Sequence, residues 1–117
     1  MKFKLIVVMA EEDLTDRAIE AARAHGATGC TVITNARGEG LHPVKTFLGL
    51  TVAAQRDIIF FVVEAHHSRE ILEEIEAACR FDADPGTGVV FQIDIEDALG
   101  LRGQIHSIER DIGEEEL

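Results

Sequence analysis

The residues best suited to chemistry are Pro85-Gly86-Thr87-Gly88, which run directly into Val89-Val90-Phe91-Gln92-Ile93-Asp94-Ile95. A Gly-Thr-Gly turn leaves backbone N–H groups uncrowded, because glycine brings no side chain. Successive free N–H groups make a concavity that holds an anion such as phosphate. A second bare-backbone segment, Arg37-Gly38-Glu39-Gly40, also adjoins an expected strand. Tight turns need glycine on their own account, so each segment alone is also explained by chain geometry. Their combination and order point to a ligand-sensing domain.

Two other constellations compete. His66-His67 invites a metal, with His42, Glu64 or Cys79 as further ligands. Neighbouring residues of a strand point to opposite faces, so such a pair seldom serves one ion. A strand-to-helix turn relaxes that objection, and polar residues leading into a helix are the plainer reading. For catalysis, no Ser-His-Asp or Cys-His spacing stands out. Asp94, on the expected last strand, is the best candidate base, and it fits a solvated edge position better. The chain therefore reads as a non-enzyme.

Charge narrows the partners. Eleven basic residues oppose twenty-two acidic ones, a net charge of −11. That field opposes binding along a nucleic-acid backbone or an anionic lipid surface. A phosphate ligand then needs a local cation, and Arg37, Lys45, Arg56 and Arg102 are the candidates. The rest of the acidic excess, including Glu114-Glu115-Glu116, suits solvated helix faces and a tail.

The 117 residues, 46% of them hydrophobic, amount to one domain with a real core. No apolar run approaches the roughly 18 residues of a membrane span. Met1 to Val8 reads as a strand of a cytoplasmic protein rather than as a signal peptide. Cys30 and Cys79 are isolated and suit reduced core thiols.

Positioning these residues takes two similar halves. The first is a strand over Phe3–Met9, a helix capped by Asp13 and stopped at Gly26, and a strand over Cys30–Ala36. The second is the apolar run Ile58–Val63, a helix capped by Ser68, and a last strand after the Gly-Thr-Gly turn. Ile71, Leu72, Ile75, Ala78 and Cys79 give that helix one apolar face. The order predicts an α+β, ferredoxin-like βαββαβ fold: an antiparallel four-stranded sheet with two helices on one face. The two uninterrupted apolar runs, Leu5–Val8 and Ile58–Val63, belong in the centre of the sheet. Both are apolar on both sides, so a lone copy would expose a large apolar face. Symmetric association through that face is the simplest remedy.

The connection from Arg37 to Arg56 is long and glycine-rich, which predicts a flexible, functional loop. Its middle, Val44 to Leu50, is apolar enough to pack as a hairpin arm. From His106 to Leu117 the core pattern fades, and the expectation is a frayed acidic tail with room for a short helix.

Taken in order, these residues resemble P-II-type signal-transduction proteins (nitrogen regulatory protein P-II-like) over Met1 to about Ile105. Gly29 to Gly40 resembles the strand entering that family's T-loop. Pro85-Gly86-Thr87-Gly88-Val89-Val90-Phe91 resembles its phosphate-cradling B-loop, and Asp94 to Arg102 its closing segment. The resemblance implies a homotrimer with adenine nucleotides in the clefts between subunits. It also implies a long loop, here 37–56, that engages a membrane transporter or a metabolic enzyme. By match, Gly38, Gly86, Thr87, Gly88 and Arg102 would surround the phosphates, with Arg37 and Gly40 at the loop base. The chain departs from the pattern in Val89 and Gly100, where the family carries cations, and it has no tyrosine, so loop uridylylation on tyrosine is ruled out. Missing cations predict a preference for ADP or AMP over ATP. The second class implied by the same fold is a trimeric CutA-like protein that binds divalent metals.

Overall fold

Alternation of apolar side chains lays down the sheet. The structure, a computed structural model, describes residues 1–38, 45–47, 50–52 and 55–115, with the backbone alone for 45–47, 50–52, 107 and 111–115. Strands β1 (Phe3–Glu11), β2 (Thr31–Arg37), β5 (Gln55–Glu64) and β6 (Gly88–Asp94) form one antiparallel sheet in the order β2-β5-β1-β6. The two apolar runs occupy its centre, as their composition requires, and the alternating strands take its edges. A separate two-stranded ribbon pairs β3 (Lys45–Phe47) with β4 (Leu50–Val52), the hairpin arm expected of the long connection. The ends of that connection belong to the sheet: Arg37 closes β2 and Arg56 lies in β5.

Helices α1 (Thr15–Ala24) and α2 (Ala65–Cys79) cover one face of the sheet. Ile6, Val8 and Ala10 of β1 and Ile59, Phe61 and Val63 of β5 point into that layer. They meet Ala18 and Ala22 of α1 and Ile71, Ile75 and Cys79 of α2. Alanines on α1 let it approach closely, and branched and aromatic side chains fill the remaining space. His25, just past α1, lies 3.5 Å from both Glu70 and Glu74, joining the two helices at their outer rim.

The helix starts differ from the sequence expectation. Glu12–Leu14 form a 3-10 turn, and α1 opens at Thr15 after Leu14, which lends no side-chain cap; Asp13 is inside the turn. Helix α2 is capped by Glu64, whose carboxylate accepts the His66 N–H. Ser68 sits within the helix, its hydroxyl donating to the Ala65 carbonyl. The α1 stop is as expected: Gly26 has φ +111°, and the Ala27 N–H reaches back to the Ala22 carbonyl.

A third helix, α3 (Arg102–Glu115), replaces the frayed tail expected from His106. Its Ile108 is buried. Its Gln104 lies near Gly29, at the start of β2.

The other face of the sheet carries Leu5, Val7, Ile58, Phe60 and Val62 along its middle. Toward the edges, Ile33, Val89, Phe91 and Ile93 are 46, 48, 37 and 49% exposed. The chain's own helical layer does not cover this apolar surface. Among the described residues, no helix is long and apolar enough to cross a membrane.

Candidate functional site

The Gly-Thr-Gly turn is held by its neighbours at almost every residue. Helix α2 ends at Arg80, which takes a left-handed conformation with φ +59° and donates its N–H to the Glu76 carbonyl. Phe81 then drops into the core. The Asp82 N–H bonds the Glu76 carboxylate, and the Asp84 N–H returns to the Arg80 carbonyl. The Thr87 hydroxyl donates to the Asp84 carbonyl at 2.8 Å. The Glu11 N–H donates to the Thr87 carbonyl at 3.0 Å, fixing the turn to the end of β1. Gly86 has φ +86°, a region that side chains disfavour. Gly88 has another reason to be glycine. A β-carbon there would lie 2.5 Å from the Phe81 ring and 2.7 Å from the Met9 carbonyl oxygen.

The loop base arrives at the same end of the sheet. Edge strand β2 is interrupted by a bulge between Ile33 and Ala36, where Asn35 has φ +62°. A bulge bends and re-aims the strand that carries it. Beyond it Ala36 pairs with Arg56 and Arg37 with Gln55. In β1, Glu11 also stands opposite Arg56. The side chain of Arg56 spans the gap between loop base and turn. Its Nη2 donates to the Gly86 carbonyl at 2.6 Å, and its aliphatic stem fills the space where Gly38 would carry a β-carbon. Gly38 must be bare for Arg56 to lie where it does.

Of the residues singled out by sequence, Arg37, Gly38, Gly86, Thr87 and Gly88 therefore share one end of the sheet. Arg102 does not join them. Strand β6 leaves the turn at Gly88, opposite Ala10, and ends at Asp94, opposite Lys4. That is about 20 Å of strand at roughly 3.3 Å per residue. Arg102 then opens α3, which runs by Gly29 at the far end of β2. Gly40 lies outside the described residues. Arg56 is one of the four cations picked out by charge, but its link to the turn depends on strand register, which its local sequence does not disclose.

A cavity of about 290 Å³ opens beside the turn, between α2 and the first half of β6. Leu72, Phe81 and Val90 line it together with Glu73, Glu76 and Asp82. Arg69 also lines it but is paired with Glu73, so the carboxylates dominate and suit an anionic ligand poorly. His66 is 88% exposed at its side chain, and its Nδ1 lies 2.6 Å from the Oε1 of the buried Glu64. The pair orients the ring at the start of α2. Among the described residues, no group of three His, Cys, Asp or Glu side chains is placed to hold a metal ion.

Similar folds are known. A PII-like signalling protein of Thermus thermophilus is 21% identical, with a TM-score of 0.56 over 81% of this chain and 88% of that one. CPII, a nitrogen regulatory PII-like protein of Thiomonas intermedia K12 whose structure holds ADP, AMP and bicarbonate, is 20% identical. Its TM-score is 0.65 over 86% of this chain and 97% of that one. At these identities the likeness is one of fold. No curated protein gives a significant sequence match. The model of the family described as nitrogen regulatory protein P-II, however, matches residues 3–104, from the first strand to the opening of α3, and the chain belongs to that family.

Proposed function

We propose that this protein is a regulatory, non-enzymatic P-II-type sensor. It binds an adenine nucleotide in the clefts of a homotrimer, and its 37–56 connection acts on a partner transporter or metabolic enzyme. The observation that carries this reading is the meeting of Gly38 and Gly86 across the Arg56 side chain. A ligand bound there touches both the turn and the strand that leads into the long connection, so occupancy is transmitted to the connection directly. The turn offers backbone N–H groups to phosphate oxygens. The ADP and AMP held by the Thiomonas protein are in keeping with such a ligand.

Two features favour a site shared between copies. Arg102 sits at the opposite end of its own sheet from the turn, so it reaches a turn only if that turn belongs to a neighbour. The uncovered apolar face gives neighbours a reason to associate. With Val89 following the turn and Gly100 preceding Arg102 by two residues, positive charge is scarce, and ADP or AMP is favoured over ATP in a chain of net charge −11. The cytoplasm, where these nucleotides are abundant, is the matching compartment.

Calorimetric titration with ATP, ADP and AMP tests the reading. Binding of ADP or AMP more tightly than ATP, weakened about tenfold by Arg102→Ala, is the expected result. Failure of all three to bind would overturn the nucleotide reading. Protection against thermal unfolding by Zn²⁺ or Cu²⁺ alone would favour the metal-binding class instead.

A further inference from the structure

We infer that Arg56 sets the charge this site accepts, its guanidinium exchanging the Gly86 carbonyl for an anionic group of the ligand while Glu11 competes for it from across the strand pair. The inference rests on the nucleotide reading for the ligand's identity, but its geometry does not. Arg56 is half-buried and already directed at the turn, where Nη2 meets the Gly86 oxygen at 2.6 Å. Its partner there is a neutral carbonyl. That bond is already charge-assisted on the donor side, but an anion adds a full opposite charge and two acceptor oxygens for a bidentate pair, so an anion arriving at the turn outcompetes the carbonyl for the guanidinium. Lys4 is paired with Asp94 and Arg69 with Glu73, and Arg102 lies at the far end of the sheet, so none of these three can take its place within the chain.

Strand register gives Arg56 its competitor. Glu11 and Arg56 are direct cross-strand partners, and side chains of such partners share a face with β-carbons about 5 Å apart. The Glu11 backbone also holds Thr87. A carboxylate so placed lowers the positive potential at Arg56 and raises the charge a ligand must bring. A weakly charged anion leaves Arg56 on Gly86, and a phosphate group draws it off. Because the Arg56 stem packs on Gly38, the exchange also shifts the root of the long connection.

The test compares ADP with uncharged adenosine by calorimetry, and inorganic pyrophosphate by thermal shift, for the wild-type chain and for Arg56→Gln, Arg56→Lys and Glu11→Gln. Circular dichroism establishes that each variant is folded. Arg56→Gln should weaken ADP by about tenfold or more while leaving adenosine unchanged, and Arg56→Lys should fall between. Glu11→Gln should tighten ADP roughly three- to tenfold, again without effect on adenosine. Equal ADP affinity in wild type and Arg56→Gln, or equal loss for ADP and adenosine, would overturn the inference. If wild type binds no nucleotide, that reading fails, and pyrophosphate decides for Arg56 alone. Protection by pyrophosphate that Arg56→Gln abolishes supports the assignment, and its absence from wild type overturns it. If Arg56→Gln does not fold, Arg56→Lys and Glu11→Gln decide, and they must move ADP affinity in opposite directions.

Discussion

The Thr15 hydroxyl donates to the Asp57 carboxylate at 2.6 Å, and both residues are buried. This bond ties the first residue of α1 to β5 at the position next to Arg56. A buried carboxylate that loses its donor keeps its desolvation penalty. Thr15→Val preserves shape and removes the donor, so it should destabilise the fold by about 2–3 kcal/mol. Thr15→Ser keeps the hydroxyl and should remain within about 1 kcal/mol of wild type. Urea denaturation measures both. Equal effects of the two substitutions would mean that packing of the Thr15 methyl group, rather than the bond, matters there.

The two glycines of the turn are needed for different reasons, and their alanine variants should separate. Gly86→Ala imposes a side chain on φ +86°, worth roughly 1–2 kcal/mol. Gly88→Ala drives a β-carbon against the Phe81 ring and the Met9 carbonyl, one a core group and the other backbone. Overpacking of that kind costs about 1–3 kcal/mol, and a backbone neighbour puts it at the upper end. Gly88→Ala should therefore lower the unfolding midpoint more than Gly86→Ala. The reverse order would show that the turn relaxes around Gly88.

What was legible in the sequence, and what was not, follows from the range of the forces involved. Leu5–Val8 and Ile58–Val63 announced themselves as central strands because a run apolar on both faces has no stable place at an edge. The unpartnered face followed from the same runs. Local glycine chemistry marked Gly86 and Gly88. The expected caps differ for separate reasons: Asp13 lies inside a 3-10 turn, so α1 starts after Leu14 with no side-chain cap, and at α2 a second polar group competes with Ser68. Glu64 is buried at the strand end and took the cap of α2 ahead of where a serine suggested it. Helix α3 was understated because Ile105, Ile108 and Ile112 are thinly spaced among acidic residues and interrupted by Gly113. Arg56 was visible as a cation and invisible as a bridge. Its contact with Gly86 spans thirty residues and depends on register.

Burial acts on Cys79. Desolvation pushes the Cys79 thiol above its usual pKa; Arg17 offsets this in part and Glu76 adds to it. An unfolded thiol ionises near about 8.5. Between that pH and the higher folded value the native state holds the extra proton, so stability should fall as pH rises through the alkaline range. Cys79→Ala should flatten that slope while costing some stability at neutral pH through the lost sulfur. In native protein, an aromatic disulfide reagent should label half-buried Cys30 first and reach Cys79 only on unfolding. Equal labelling rates, or a pH slope unchanged in Cys79→Ala, would count against a protected thiol.

The uncovered sheet face makes the strongest demand on the assembly. Phe91 stands opposite Val7 on that face, in edge strand β6, and is 37% exposed. A carboxylate at this position meets water in a lone chain and an apolar partner surface in a trimer. Phe91→Asp should therefore leave the circular dichroism spectrum intact while reducing the mass seen by light scattering from three chains to one. Glu20→Lys, on the exposed side of α1, should change neither. The same Phe91 variant tests the shared site. Arg102 and the Gly86–Gly88 turn lie at opposite ends of one sheet, so a folded monomer should lose nucleotide affinity even though every residue of the site is still present. A Phe91→Asp protein that is monomeric and binds ADP as wild type does would show that the site is complete within one chain. A wild-type protein that is monomeric at micromolar concentration would remove the trimer altogether.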